Sequence, residues 1–234
     1  MSENTHQASA EDRSHFFWWL GEWFLHPPAP EQLASLSADP QPLGPPSDTS
    51  DTLDAAWLAL GALAPASDAA TLERLGAEFT RLISGIQEGL GPPPPFESVW
   101  RENRLIGEST VAVIEAYART GFADIDPEAG PQDHVGVELK FIALLALREA
   151  QAWQADDAST ARQRASQQLD FLQAHLAAWA PTWANAIIEH AREPLFVALA
   201  GLLKAGLGQA AAELEEILHS TENATAGTHA IHRH

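Results

Sequence analysis

Residues 130–153, GPQDHVGVELKFIALLALREAQAW, hold an apolar helical stretch around which the rest of the chain must pack. From Val135 onward, apolar side chains stand on nearly every side of a 3.6-residue repeat: Val135, Val137, Leu139, Phe141, Ile142, Leu144, Leu145 and Leu147. A helix from 131 to about 154 that is apolar almost all round belongs in the middle of a bundle, covered by other helices. The rest of the chain can supply that cover. Ala and Leu abound, β-branched residues are sparse, and no segment alternates convincingly with period two. The expected fold class is all-α, a single bundle-like fold of about ten helices.

Working outward, residues 10–26 read as a first helix rich in aromatics (Phe16, Phe17, Trp18, Trp19, Trp23, Phe24), stopped by Pro27-Pro28. Trp18, Trp19, Trp23 and Trp57 read as core. A short helix follows over 30–38, then a loop of turn residues, DPQPLGPPSDTS, over 39–50. Helix resumes at SDTLDAAWLALGAL, with Trp57, Leu60 and Leu63 at helical spacing. The next helix takes Ser67 or Asp68 as N-cap and carries the stripe Leu72, Leu75, Phe79, Leu82, Ile86. Four prolines, Pro92 to Pro95, cannot be helical and favour an extended chain. They divide an aromatic-rich helical part (1–90) from a C-terminal helical core (104–219), through a Pro-rich connecting loop (91–103). Such a loop is also a candidate hinge, which leaves open a monomer or a domain-swapped dimer.

Beyond the loop, a helix from about 104 to 119 ends before Gly121, and FADIDPEAGP is a loop. Residues 157–179 carry the stripe Leu169, Leu172, Leu176, Trp179, and Pro181 is expected to end that helix. Trp179 and Trp183 flank Pro181 and read as structural. Two further helices are expected over 182–203, broken near Pro194, and 208–219, with a turn at Gly206-Leu207-Gly208 and a disordered tail over 220–234.

Composition narrows the function. The chain has 234 residues, 45% of them hydrophobic, enough for a core. Without cysteine, disulfides and cysteine metal sites are excluded. The N-terminus is polar, and the aromatic run HFFWWLGEWFLH is too short to span a bilayer and is interrupted by Glu22. The expectation is a cytoplasmic protein with no stable membrane insertion. Asp and Glu number 32 against 13 Lys and Arg, a net charge of -19. Such a surface repels phosphate backbones, so no nucleic acid is expected, and it attracts a basic partner with a salt-dependent pull.

Catalytic signatures are missing: no phosphate loop, no GxGxxG, no HExxH, no GxSxG. His229, His232 and His234 lie in the tail. The expectation is a protein that is not an enzyme, with no catalytic residues, no metal and no cofactor of its own. What stands out instead is Asp133-His134 at the start of the central helix. A carboxylate there favours the positive end of the helix dipole, which accounts for Asp133. A protonated histidine there is unfavourable, so His134 is not explained that way. His134 and Glu138 are one turn apart and able to pair.

Three segments resemble the TorD/DmsD/NarJ family of redox-enzyme maturation chaperones. FTRLISG followed by PPPPFESVW, within residues 79–100, is similar to that family's Pro-Tyr/Phe-x-Ser-Val-aromatic loop. PQDHVGVELKF, residues 131–141, is similar to its Pro-x-Asp-His-hydrophobic-x-x-Glu-Leu pattern, with Gly130 and Lys140 where many members carry acidic residues. FLQAHLAAWAPTWANAI, residues 171–187, resembles its Phe-Leu-x-x-His-Leu-x-x-Trp-x-Pro signature. The resemblance implies an all-α chaperone of molybdoenzymes of the dimethyl sulfoxide reductase type. Its partner would be the catalytic subunit, bound through a twin-arginine signal peptide and held until the molybdenum cofactor is inserted. Two guanidinium groups ahead of an apolar stretch call for carboxylates beside an apolar groove. Asp133, Glu138 and Glu97 are the carboxylate candidates; Phe96, Trp100 and the first-helix aromatics are the groove candidates. Ser98, Pro131, Gln132 and His134 complete the expected signal-peptide site. The rival reading is a small all-helical metal-dependent hydrolase using Asp133, His134 and Glu138.

Overall fold

The computed structural model describes residues 3–36, 51–63, 68–85, 91–123 and 125–230. The chain forms α1 (Glu3–Leu25), α2 (Pro30–Ser35), α3 (Asp51–Leu63), α4 (Ala69–Leu82), α5 (Glu97–Glu102), α6 (Glu108–Arg119), α7 (Val135–Gln154), α8 (Ala158–Phe171), α9 (Ala177–His190) and α10 (Pro194–Ala230). A 3-10 turn, Pro127–Ala129, precedes α7, and a π-type turn, Leu172–Leu176, joins α8 to α9. No strand occurs among the described residues. The fold is all-α.

α7 is the central helix. Val135, Val137, Leu139, Ile142 and Leu145 are fully buried; Leu147 alone among its large apolar residues is strongly exposed. α1 lies along α7, and the two meet closely at a glycine pair. A Cβ on Gly21 would stand 2.9 Å from the Gly136 carbonyl oxygen, and a Cβ on Gly136 2.9 Å from that of Gly21. A methyl group on either would push the helices apart. α3 packs on α10 and α9 flanks it, so residues on both sides of the proline run share one core, from Phe16 through Leu60 to Leu214. α10 is long and apolar enough to cross a membrane, but 61% of its apolar window is buried inside the bundle.

One buried ionic network ties the layers together. Arg13 of α1 is 1% exposed and binds Glu149 of α7 at 2.6 Å and Glu213 of α10 at 3.1 Å. Glu149 also accepts from Gln168 of α8 at 2.7 Å and from the Trp153 indole at 3.0 Å. Burial works against the Arg13 charge, yet Glu149 and Glu213 raise its pKa above the usual arginine value.

Several boundaries differ from the sequence reading. α1 starts at Glu3 because its first turns are held by α10, Ser9 donating to Glu213 at 3.0 Å. Asp68 does cap α4, accepting from Thr71 N–H at 2.9 Å, while Ser67, Ile86 and the 39–50 loop lie outside the described residues. Part of the expected connecting loop is helix α5, and the helix expected from 104 starts at Glu108. Pro181 does not end a helix; it lies inside α9, five residues past the end of the π-type turn, where the ladder is irregular. Gly206 makes no turn either. Its missing Cβ is occupied by Phe16, whose Cε1 would lie 2.3 Å from it, so α10 runs on unbroken. The α10 backbone stays helical to Ala230, through most of the stretch expected to be disordered; 231–234 lie outside the described residues. Trp23, Trp57, Trp179 and Trp183 are buried, whereas Trp18 is 44% exposed.

Candidate functional site

The proline run and the α7 start, far apart in sequence, lie side by side. Phe96 and His134 form an isolated antiparallel bridge, with Glu97 N–H donating to the Asp133 carbonyl at 2.8 Å and Val135 N–H to the Pro95 carbonyl at 2.9 Å. The stiff prolines hold this short pairing in place, and the Trp100 indole closes it by donating to the Pro94 carbonyl at 3.0 Å. Gln132 staples the preceding loop: its Oε1 accepts from Ile125 N–H at 2.9 Å and its Nε2 donates to the Asp126 and Gly130 carbonyls at 2.9 and 3.0 Å. Tyr117 of α6 donates to the Gln132 carbonyl at 2.9 Å.

Asp133 and His134 then divide the capping between two helices. Asp133 does not serve α7; its Oδ2 accepts from Ser98 N–H at 2.9 Å and so caps α5. His134 is the N-cap of α7, its Nδ1 accepting from Gly136 N–H at 3.1 Å. An accepting nitrogen means a neutral ring, and burial pushes the His134 pKa down to about 3. That resolves the objection to a histidine at the positive end of a helix. The ring packs edge-to-face on Phe96, centroids 5.0 Å apart.

The expected pair between His134 and Glu138 does not form. Glu138 is fully buried and neither of its oxygens has a hydrogen-bond partner; the Trp179 indole lies near it but outside bonding geometry. Burial first, then the carboxylates of Glu97 and Asp133, push the Glu138 pKa well above the usual carboxylate range. The same three acidic residues, after burial, raise Tyr117 well above an ordinary phenol. Glu97 is also fully buried. His175 Nδ1 lies 2.9 Å from its Oε2, and Arg101 Nη1 binds its Oε1. Arg101 Nη1 also donates to the Ala174 carbonyl at 3.0 Å.

All nine expected site residues are therefore brought to one junction. Phe96, Trp100 and Pro131 are half-buried, while Asp133, His134, Glu138, Glu97, Ser98 and Gln132 are buried. The first-helix aromatics are not part of it. Trp18, Trp19 and Trp23 line a separate groove of ≈ 560 Å³ with Glu22, Leu144 and Leu147. Leu147 follows Glu138 by nine residues, about half a turn in direction at roughly 100° per residue, so the groove opens on the other face of α7. Lys140 points to that face too, neutralised by Glu22 at 2.6 Å and Asp126 at 3.1 Å. It therefore takes no charge from the carboxylate junction. The opening beside the junction is a cleft of ≈ 470 Å³, lined by Ala116, Thr120, Phe141, Phe171, Ala174 and His175, with Asp170 and Arg119 also in its wall.

The trio of the hydrolase reading does not assemble: Asp133 turns to α5, His134 spends its lone pair on its own helix, and Glu138 stands alone. Among the described residues, no three His, Asp or Glu side chains gather to hold a metal. Arg101, Tyr117 and His175 escaped the sequence reading as site residues. His175 sits in the FLQAHL stretch, and Arg101 is one turn after Glu97; those were the available signals.

A family profile described as the nitrate reductase delta subunit matches residues 47–185. The Tat proofreading chaperone DmsD of Salmonella typhi is 35% identical over 125 residues, 53% of this chain and 54% of that protein. The DmsD of Salmonella paratyphi A is 34% identical over the same length. The chaperone protein TorD of Vibrio cholerae is 27% identical over 217 residues, 90% of this chain and 96% of its own. The chain spans about half the length of the DmsD relatives it matches.

Proposed function

The chain belongs to the nitrate reductase delta subunit family, the family of NarJ and TorD, and from that premise we propose that it is a molybdoenzyme maturation chaperone. In this reading it is cytoplasmic and not an enzyme. It binds the twin-arginine signal peptide of an apo catalytic subunit of the dimethyl sulfoxide reductase type. It assists insertion of the molybdenum cofactor and holds back premature export. The observation that carries the reading is the convergence at one junction of all three segments that resemble the family. PPPPFESVW supplies Glu97, PQDHVGVELKF supplies Asp133, Glu138 and Phe141, and FLQAHLAAWAP supplies His175 and Trp179.

Chemically, this junction suits the cationic end of a signal. Glu97 and Asp133 place carboxyl oxygens away from competing water, where a guanidinium is bound well. The cleft beside them offers Ala116, Phe141 and Phe171 to the apolar residues that follow. A peptide that orders on binding loses part of the contact energy to entropy, so affinity is moderate. The net charge of -19 adds a long-range pull on a basic segment, screened beyond about 10 Å at 0.1 M salt.

Calorimetric titration tests this with a peptide carrying two adjacent arginines and an apolar stretch, at low and moderate salt. The same peptide with both arginines replaced by glutamine is the control. Saturable binding that needs the arginines and weakens with salt is the expected result. Binding that ignores the arginines refutes the assignment.

A further inference from the structure

Glu97 is completely buried, and the cation that answers it from the surface side is the chain's own Arg101, whose side chain is 43% exposed. Arg101 is held through a single nitrogen: Nη1 meets both Glu97 Oε1 and the Ala174 carbonyl oxygen, the latter at 3.0 Å. A guanidinium offers two parallel donors to a carboxylate, so a one-nitrogen grip leaves most of its capacity unused. Arg101 is the exposed partner, so water replaces much of its contact when it lifts; the cost of its leaving falls on buried Glu97, which keeps only His175 Nδ1 at 2.9 Å. α5 ends one residue later, where Asn103 turns the chain in the left-handed region at φ 55°. Behind Glu97, Asp133 Oδ1 is buried and has no hydrogen-bond partner. The junction thus has more acceptor capacity than its resident cations use. Ala174 and His175, which border this grip, also line the open cleft.

We propose that Arg101 is a built-in stand-in for a guest arginine: Glu97 and the Ala174 carbonyl form a guanidinium seat at the edge of the cleft, and a peptide guanidinium takes it by displacing Arg101. The proposal rests on the signal-peptide reading and adds to it a competing internal ligand. While the chain is empty, Arg101 keeps Glu97 compensated. When a peptide enters, its guanidinium takes the place of Arg101, and the buried carboxylate exchanges one cation for another. Discrimination follows, since a segment without a guanidinium leaves Glu97 with His175 alone once Arg101 has left.

The test measures binding of the two-arginine peptide and its glutamine control to the parent, Arg101→Gln, Arg101→Lys and Glu97→Gln chains. Arg101→Gln should bind the two-arginine peptide about two- to five-fold more tightly, with no gain for the control. Arg101→Lys, which still fills the seat, should stay near the parent. Glu97→Gln should lose the arginine preference. If the parent binds the peptide and Arg101→Gln binds it equally or more weakly, Arg101 is a strut and the proposal is overturned, while the chaperone reading stands. If no chain binds the peptide, the chaperone reading falls, and arginine amide decides the seat by thermal shift. Stabilisation of Arg101→Gln but not of Glu97→Gln upholds it, and no difference overturns it.

Discussion

Replacing His134 with Asn and, separately, Glu138 with Gln should tilt the pH dependence of stability in opposite directions. His134 holds a pKa of about 3 in the folded chain against about 6.5 when unfolded. Between those values the unfolded chain binds one more proton, so His134 lowers stability as pH falls below about 6.5. Glu138 behaves the other way. Its folded pKa lies well above its unfolded value near 4.5, so the folded chain holds the extra proton, and stability falls as pH rises from there. Each contribution runs at about 1.4 kcal/mol per pH unit while its window lasts. Above pH 4.5 the two oppose each other in the parent. Between pH 6.5 and 4.5 the His134 contribution amounts to about 2–3 kcal/mol, roughly 5–10 °C in Tm for a chain of this size. Relative to the parent, Glu138→Gln should gain stability as pH rises through this range. His134→Asn, which keeps a capping side chain, should gain as pH falls. Thermal unfolding in matched buffers from pH 4.5 to 7.5 at constant ionic strength reads both slopes. Difference curves that stay flat with pH, or that tilt the same way, would refute a neutral capping histidine beside a buried glutamate of raised pKa.

Arg13→Met should destabilise the fold by about 3–5 kcal/mol in urea unfolding, because it leaves Glu149 charged and buried; adding Glu149→Leu should recover much of that loss. Gly206→Ala should cost about 1–3 kcal/mol, since its methyl group meets the Phe16 ring, whereas Gly208→Ala, with open space around it, should be neutral or stabilise by up to about 1 kcal/mol. Comparison of their Tm values checks the pair. Trp18→Ala should leave the affinity for the two-arginine peptide unchanged, because its groove lies on the face of α7 turned from the junction; a loss comparable to that of Glu97→Gln would place the peptide in that groove instead.

Local rules made the helices legible in the sequence. Apolar residues at 3.6-residue spacing marked α7 as the centre, and Pro27-Pro28 and Asp68 marked a helix end and a helix start, because those signals act within a turn of the residues that carry them. The three segments that form the junction were also visible as unusual sequence. What each polar group does there was not. Asp133 sits two residues before α7 and caps α5, and the donor it serves, Ser98, is 35 residues away. Glu138 looked like a partner for His134 by spacing, yet the histidine spends its lone pair on its own helix and the glutamate is left without a bond. Gly206 looked like a turn until Phe16 of a distant helix filled its side-chain space. The sequence by itself determined which stretches coil and which faces are apolar, since both depend on neighbours along the chain. The tertiary structure alone decided which buried polar groups meet, because burial removes water as the default partner and leaves each group only what the packing of remote segments brings within reach.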